Sequence, residues 1–425
     1  VTGVPSSRRL DAAWLQEGPL ARLLTVLDGD REGARVVGGA VRNALLDEPI
    51  GDIDIATTAH PQKVIRRVED AGFKAIPTGI EHGTVTVVVE GRPFEVTTLR
   101  EDVETDGRHA KVAFGHDWRR DAERRDFTMN ALSAARDGTI YDYVGGLADL
   151  DARRVRFIGD PARRIAEDFL RILRFFRFHA AYGRGALDAA GLHACIVARA
   201  GLDALSRERV RMEMLKLLIA EHAIPTLAVM TETGLLVTVL GGVPLLASFA
   251  NMTKLETAFG LKPDAVRRLG ALGVSVVEDA GRLRERLRLA NAEQKRLLSM
   301  ADGWWRISPQ QGEPSARVLL YRLGPDYYAD RVLLAWSRSP AGTADAEWRR
   351  LLTLPDRWVA PAFPLKAADF IARGVARGPV LGAALRAAAE AWIAEGFPLD
   401  AGALAAIADG ARAFAVLGVQ DDTAF

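Results

Sequence analysis

Cysteine is almost missing from this chain: Cys195 is the single one in 425 residues. That excludes an intrachain disulfide framework and an all-cysteine metal cage, and it favours a reducing cytoplasm. In "GLHACIVARA" this cysteine reads as a core residue. Histidine is sparse as well, and among the seven, His82, His109 and His116 are too scattered to suggest a zinc site. No apolar run is long enough to span a membrane, and no basic-then-apolar leader pattern opens the chain. The net charge of +1 shows no excess of either sign, so any polyanion site has to be local, built from clustered arginines. Short-period repeats and low-complexity tracts are also lacking. The first residue is Val1, and "VTGVPSS" is expected to be a trimmed, tagged or unstructured end.

What is present divides the chain. Its length suggests two to four domains. Between about Ala34 and Tyr143, strand and helix patterns alternate. "ARVV" is a short apolar strand ending at Gly38-Gly39, "AVRNALL" is helical, and "HPQKVIRRVEDAG" is a helix from Pro61 to a stop at Gly72. "GTVTVVV" and "PFEVTTL", joined through Glu90-Gly91-Arg92, read as a hairpin. The polar, turn-rich stretch from Arg100 to Asp121 lacks periodicity and is expected to be a mobile loop. From Ala162 onward the pattern is almost entirely helical, with loops expected at "SRSPAGTADAEW" and "TLPDRWVAPAFP". A small α+β head followed by a long all-helical body is therefore expected.

The chemistry concentrates in "VVGGAVRNALLDEPIGDIDIATTA". On a strand, residues two apart share a face, so Asp52 and Asp54 are expected side by side, with Ile53 and Ile55 turned into the core. Paired carboxylates raise each other's pKa unless a cation sits between them. Oxygen donors of this kind suit Mg²⁺, which takes one or two carboxylates plus substrate phosphates. Alone, Asp-x-Asp reads as a polar strand edge. Just before it, however, Gly38-Gly39 places backbone N–H groups at a helix N-terminus, and Arg42 follows one turn later, together a phosphate grip. Glu95 in "PFEVTTLR" is the candidate for a third carboxylate, an exposed strand glutamate being the alternative.

Together these residues resemble the head-domain signature of polymerase-β-like nucleotidyltransferases. The likeness is to the tRNA nucleotidyltransferase (CCA-adding) and bacterial poly(A) polymerase family, in its class II form. The family usually has Asp where this chain has Asn43, and often Gly where it has Asp47. "ERRDFTMNAL" resembles a further family motif, which implies that Arg125, Asp126 and Asn130 hold sugar and triphosphate. "LSRERVRMEMLKLL" resembles a helix-stabilising motif, and "FPLKAADFIARGVARGPVLGAAL" resembles the family's tail region.

A second constellation reads bases. "RRIAEDFLRILRFFRF", residues 163–178, is amphipathic, with Ile165, Phe169, Ile172, Leu173 and Phe176 on one stripe. Asp168 and Arg171 sit three apart on another face. Cytosine and adenine both present an amine donor beside an unprotonated ring nitrogen, which a carboxylate and a guanidinium can pair. Uracil and guanine present the reverse and would leave both side chains unpaired. The resemblance, through Glu167, Asp168 and Arg171, implies the same role and adds Arg174 and Arg177 to the nucleotide site.

The resemblance implies an α+β nucleotidyltransferase (polymerase-β-like) head over residues 1–150, then an elongated all-α neck (151–220), body (221–340) and tRNA-binding tail (341–425). It implies metal-dependent addition of C, C and A to the tRNA 3′ end from CTP and ATP, with Mg²⁺ on Asp52 and Asp54. Poly(A) or A-only addition is the nearest alternative, and a non-catalytic RNA-binding helical protein is an alternative of a different class. A nucleotide-sugar transferase with Mn²⁺ on Asp-x-Asp would not require the Gly-Gly–Arg lead-in. The arginine clusters "DARRVRF", "VRRLGALG" and "GRLRERLRL" are expected on helix surfaces facing RNA. The sequence sets no oligomeric state.

Overall fold

The computed structural model describes residues 5–29, 32–106 and 109–421, with side chains omitted at Pro5, 101–113 and 416–421. The chain divides into two compact units. The first comprises Val1–Leu246 with Arg282–Leu289, and the second comprises Ala247–Gly281 with Ala290–Phe425.

Ten strands are described, all in the first unit: β1 Pro5–Arg9, β2 Ala34–Val37, β3 Asp54–Thr57, β4 Lys74–Gly79, β5 Thr84–Val89, β6 Arg92–Thr98, β7 Arg100–Asp106, β8 His109–Phe114, β9 Ser133–Ala134 and β10 Thr139–Tyr141. Eight form one sheet in the order β1-β10-β9-β2-β3-β6-β5-β4. Its pairs are antiparallel except for β3 beside β6, which run parallel. The alternation in β5 explains which face is covered. Val85, Val87 and Val89 are buried against the Gly18–Leu27 and Pro61–Asp70 helices, whose inner faces supply Leu20, Leu23, Leu24, Leu27, Val64 and Val68. The β5–β6 turn uses left-handed backbone at Glu90 (φ 50°) and Gly91 (φ 78°), as a tight hairpin requires.

Two expectations need correction here. The segment expected to be a mobile loop pairs as the β7–β8 hairpin, a separate two-stranded sheet; Gly107 and Arg108 at its centre lie outside the described residues. At the start of the chain, Pro5–Arg9 is an edge strand on β10, while the reading of Val1–Val4 as an unstructured end lies outside the described residues.

The Gly39–Leu45 helix ends in a Schellman arrangement. The Glu48 N–H donates to the Asn43 carbonyl (2.9 Å) and the Asp47 N–H to that of Ala44 (3.4 Å). Asp47 takes the left-handed position at φ 57°, so its backbone conformation is the one glycine favours. Replacing Asp47 with Gly is expected to leave stability unchanged or raise it by up to about 1 kcal/mol, whereas Val at this position should cost about 1–2 kcal/mol. Thermal melts of both variants check this.

The rest of the first unit and all described elements of the second are helical. No helix among the described residues is long and apolar enough to cross a membrane. Cys195 is fully buried, as expected, and burial pushes its thiol pKa up. The second unit corrects one proposed RNA-facing cluster. Arg267 and Arg268 of "VRRLGALG" are tied to Glu256, and Arg267 also to Asp330, both carboxylates being 1% exposed. Those guanidiniums are satisfied inside the protein. In "DARRVRF", Arg154 and Arg156 likewise converge on the fully buried Asp149. Arg284 and Arg288 of "GRLRERLRL" are exposed.

Candidate active site

Parallel pairing of β3 with β6 puts Asp54 directly opposite Glu95. Ile55 and Val96, the next pair, are buried, so the two carboxylates lie on the other face, and both are exposed. Asp52 differs from expectation: β3 begins at Asp54, so Asp52 and Ile53 belong to the lead-in, and Ile53 is only half-buried. The Asp54 carboxyl is raised above the ordinary value. Partial desolvation by surrounding atoms is the largest cause, Glu95 and Asp52 add to it, and Arg125 opposes them. Among the described residues no group of three or more His, Cys, Asp or Glu side chains converges closely enough to hold a metal ion by itself. The donor set is nevertheless chemically suited to a hard divalent cation in an open site, since repelling carboxylates on one exposed face leave positions for substrate oxygens.

Gly38 stands at the N-terminus of the adjacent helix with φ 71°, and a Cβ there would lie 3.1 Å from Nη1 of Arg125. Its N–H donates to the Leu132 carbonyl (3.0 Å), so the glycine pair does not offer two bare amides. Gly39 opens the helix, where first-turn amides lack a helical acceptor.

Arg42 does not project as a free hook. It is 6% exposed and donates to Asn130 Oδ1 (2.5 Å), Asn43 Oδ1 (2.8 and 3.1 Å) and the Tyr182 hydroxyl (2.8 Å), with its guanidinium 4.0 Å from the centre of the Tyr182 ring. Burial lowers its pKa, because the charged form is the one desolvated. Asn130 in turn donates to Asp126 (3.1 Å), and Asp126 accepts from Arg174 Nε (2.8 Å) and Nη2 (2.6 Å). Burial would raise the Asp126 carboxyl, but Arg174 and Asn130 outweigh it and hold it low. Arg174 and Arg177 both reach Glu213, at 3.5 and 2.5 Å. Arg125 pairs with the buried Asp121 at 3.2 Å.

The expected single helix over 163–178 is two helices, Pro161–Glu167 and Leu170–Tyr182. Asp168 is extended (φ −159°) between them; its Oδ1 accepts from the Leu170 N–H (3.0 Å) and its Oδ2 from Arg209 Nη2 (2.6 Å). Arg171 Nη1 donates to Glu167 and to the Arg164 carbonyl. The Asp168 and Arg171 side chains, three apart in sequence, are therefore held by different partners, and the link between the two residues is the Arg171 N–H donating to the Asp168 carbonyl (3.0 Å). Of the apolar stripe, Ile165, Ile172, Leu173 and Phe176 are buried and Phe169 is half-buried.

Similarity to known proteins follows this geometry. Residues 34–156 match the family described as "Poly A polymerase head domain", and residues 187–249 match "Probable RNA and SrmB-binding site of polymerase A". Over 390 residues the chain is 34% identical to CCA tRNA nucleotidyltransferase 1, mitochondrial, of Mus musculus, a match covering 86% of this chain and 84% of that protein. The chain belongs to the class II CCA-adding enzyme and poly(A) polymerase family. A CCA-adding enzyme of Limosilactobacillus fermentum is 31% identical over 358 residues, 83% of this chain and 86% of that one. The crystal structure of the Bacillus stearothermophilus CCA-adding enzyme in complex with CTP matches with a TM-score of 0.70 at 30% identity, over 89% of this chain and 92% of that one.

For this member of the CCA-adding enzyme and poly(A) polymerase family, the sequence motifs left out the supporting partners. Tyr182, Asn43 and Asp121 brace the arginines, and Arg209 and Glu213 brace the second constellation. Arg209 and Glu213 are four apart on the Arg207–Leu218 helix, a spacing that puts both on one face and was available in "LSRERVRMEMLKLL".

Proposed function

We propose that this chain adds C, C and then A to the 3′ end of tRNA from CTP and ATP without a nucleic-acid template. The 3′-hydroxyl oxygen attacks the α-phosphorus of the incoming nucleotide, a phosphodiester forms, and the bond to pyrophosphate breaks. The observation carrying this reading is the Asp54–Glu95 pair on the open sheet face beside the Gly38-Gly39 turn, in a chain similar to CCA-adding enzymes over most of its length.

Asp52 and Asp54, with Glu95 beside them, would hold Mg²⁺, whose charge would offset the charge of the triphosphate. Gly38 makes room for Arg125 at the turn, while Gly39 and the first-turn amides face the phosphates. Arg42, Asn130 and Asp126 act as a buried brace that fixes this turn against Arg174 and Arg177, rather than each gripping phosphate alone. Each Asp168 oxygen accepts one bond in the structure and has capacity for a base amine. The bonds of Arg171 run from Nη1, which leaves Nε and Nη2 to donate to a ring nitrogen. In this reading the segments divided at 150, 220 and 340 serve as head, neck, body and tail, with exposed arginines of the helical part contacting tRNA phosphates.

Incubating the protein with tRNAs ending before, within and after CCA, with CTP, ATP or both, tests the reading directly. Products should stop at CCA. Long A tracts would favour the poly(A) alternative, and no incorporation with Mg²⁺ would overturn the enzyme. Asp168→Ala should erode preference for CTP and ATP over UTP and GTP by roughly 10²-fold, because the carboxylate partner of the amine is lost. Competition assays with all four nucleotides read that ratio.

A further inference from the structure

The second unit contains a cavity of about 470 Å³ lined by none of the residues assigned above to nucleotide addition. Arg306, Arg322 and Arg331 line it with Ser308 and Ser315, and Asp302 is the one carboxylate among its lining residues. Arg331 is 8% exposed, and its buried Nε has no hydrogen-bond partner. Its ion-pair partner is Asp302, at 3.2 Å, whose own side chain is 73% exposed and so largely committed to solvent. Burial lowers the Arg331 guanidinium despite that aspartate. Gly303, with left-handed backbone (φ 78°), lines the same cavity beside Arg331. Arg306 is exposed and has no ion pair among the described residues. Arg322 pairs with Glu390, which is 67% exposed.

Of the three guanidiniums in this concavity Arg331 is buried and under-compensated, and the solvated Asp302 carboxylate does not offset the cost of its burial. An oxyanion with several acceptors removes that cost, and phosphate fits the planar fork of arginine. Hydroxyls at Ser308 and Ser315 add neutral donors, and the volume is within the range of small-ligand sites. We propose that this cavity binds a phosphate group, supplied either by free pyrophosphate or by an RNA backbone.

The test uses the full chain as wild type, Arg306→Met and Arg331→Met, with thermal melts confirming that each is folded. Calorimetric titration with pyrophosphate in EDTA forms one arm, and tRNA binding across a salt series forms the other. If free pyrophosphate is the source, both substitutions weaken a saturable site about tenfold. If the backbone is the source, pyrophosphate binding is unchanged, tRNA binding weakens, and its salt slope falls by about one. Unchanged binding in both arms for both variants overturns the proposal. Arg306 is exposed, so that variant keeps the test decisive if Arg331→Met fails to fold. Neither arm depends on nucleotide incorporation, so failure of the proposed reaction would be distinguishable.

Discussion

Replacing Asp54 with alanine is expected to reduce nucleotide addition by about 10³-fold or more while tRNA binding persists. The side chain is exposed at the first residue of β3, and the core beneath it begins at Ile55, so the substitution removes chemistry without opening a cavity. A purely structural Asp54 would predict the opposite pattern, with lowered stability and little specific loss of activity. The raised carboxyl gives a second readout. Its folded pKa is above the unfolded value of 3.8, mainly through desolvation and the neighbouring Glu95. Stability from such a group is full below the unfolded pKa and declines as pH rises through the folded pKa. In EDTA, Asp54→Asn should therefore be at least as stable as wild type at pH 7, and its advantage should vanish near pH 3. Thermal melts at both pH values with primer-extension rates at pH 7 check both halves. A lower melting temperature at pH 7 in EDTA would sink the account.

Arg42→Met should cost about 2–4 kcal/mol of stability, measured by urea unfolding. Methionine fills much of the volume but donates no hydrogen bond. Asn43 and Tyr182 are half-buried and can turn to water, whereas Asn130, at 7% exposure, is left with a buried acceptor. Relief of the desolvated cation offsets part of that loss, which keeps the figure below that of a broken buried ion pair. Because Arg42 sits behind the glycine turn and contacts neither Asp168 nor Arg171, incorporation of C and of A should fall together. Selective loss of one nucleotide would contradict the role of Arg42 as a brace.

The parts legible in the sequence are those governed by short-range periodicity. Valines two apart in β5, the Glu90-Gly91 turn and the Pro61–Asp70 helix follow from local chemistry, and the face of Glu95 follows from the alternation in β6. What the sequence concealed depends on partners far along the chain. Nothing in "IAEDFLRIL" is a helix breaker by residue type. The break at Asp168 is fixed by a cap to Leu170 and an ion pair to Arg209, 41 residues on. Arg42 looks like a surface cation until Asn130 and Tyr182 close over it. Arg267 and Arg268 look RNA-facing until Glu256 and Asp330 are placed beside them. The β7–β8 sequence lacks the apolar alternation by which the other strands are read, and the hairpin pairs as a two-stranded sheet of its own.

The strand order also bears on how the head is made during synthesis. β2 emerges early, yet one of its two neighbours, β9, lies almost a hundred residues later, and β1 waits for β10 at Thr139–Tyr141. The carboxylates at Asp52, Asp54 and Glu95 therefore leave the ribosome well before the strands that complete their sheet. Long-range closure of this kind slows folding and leaves an unpaired edge in the meantime. A nascent chain ending before Ser133 already carries these acidic residues and the β2–β6 strands around them, but β2 keeps an open edge until β9 arrives.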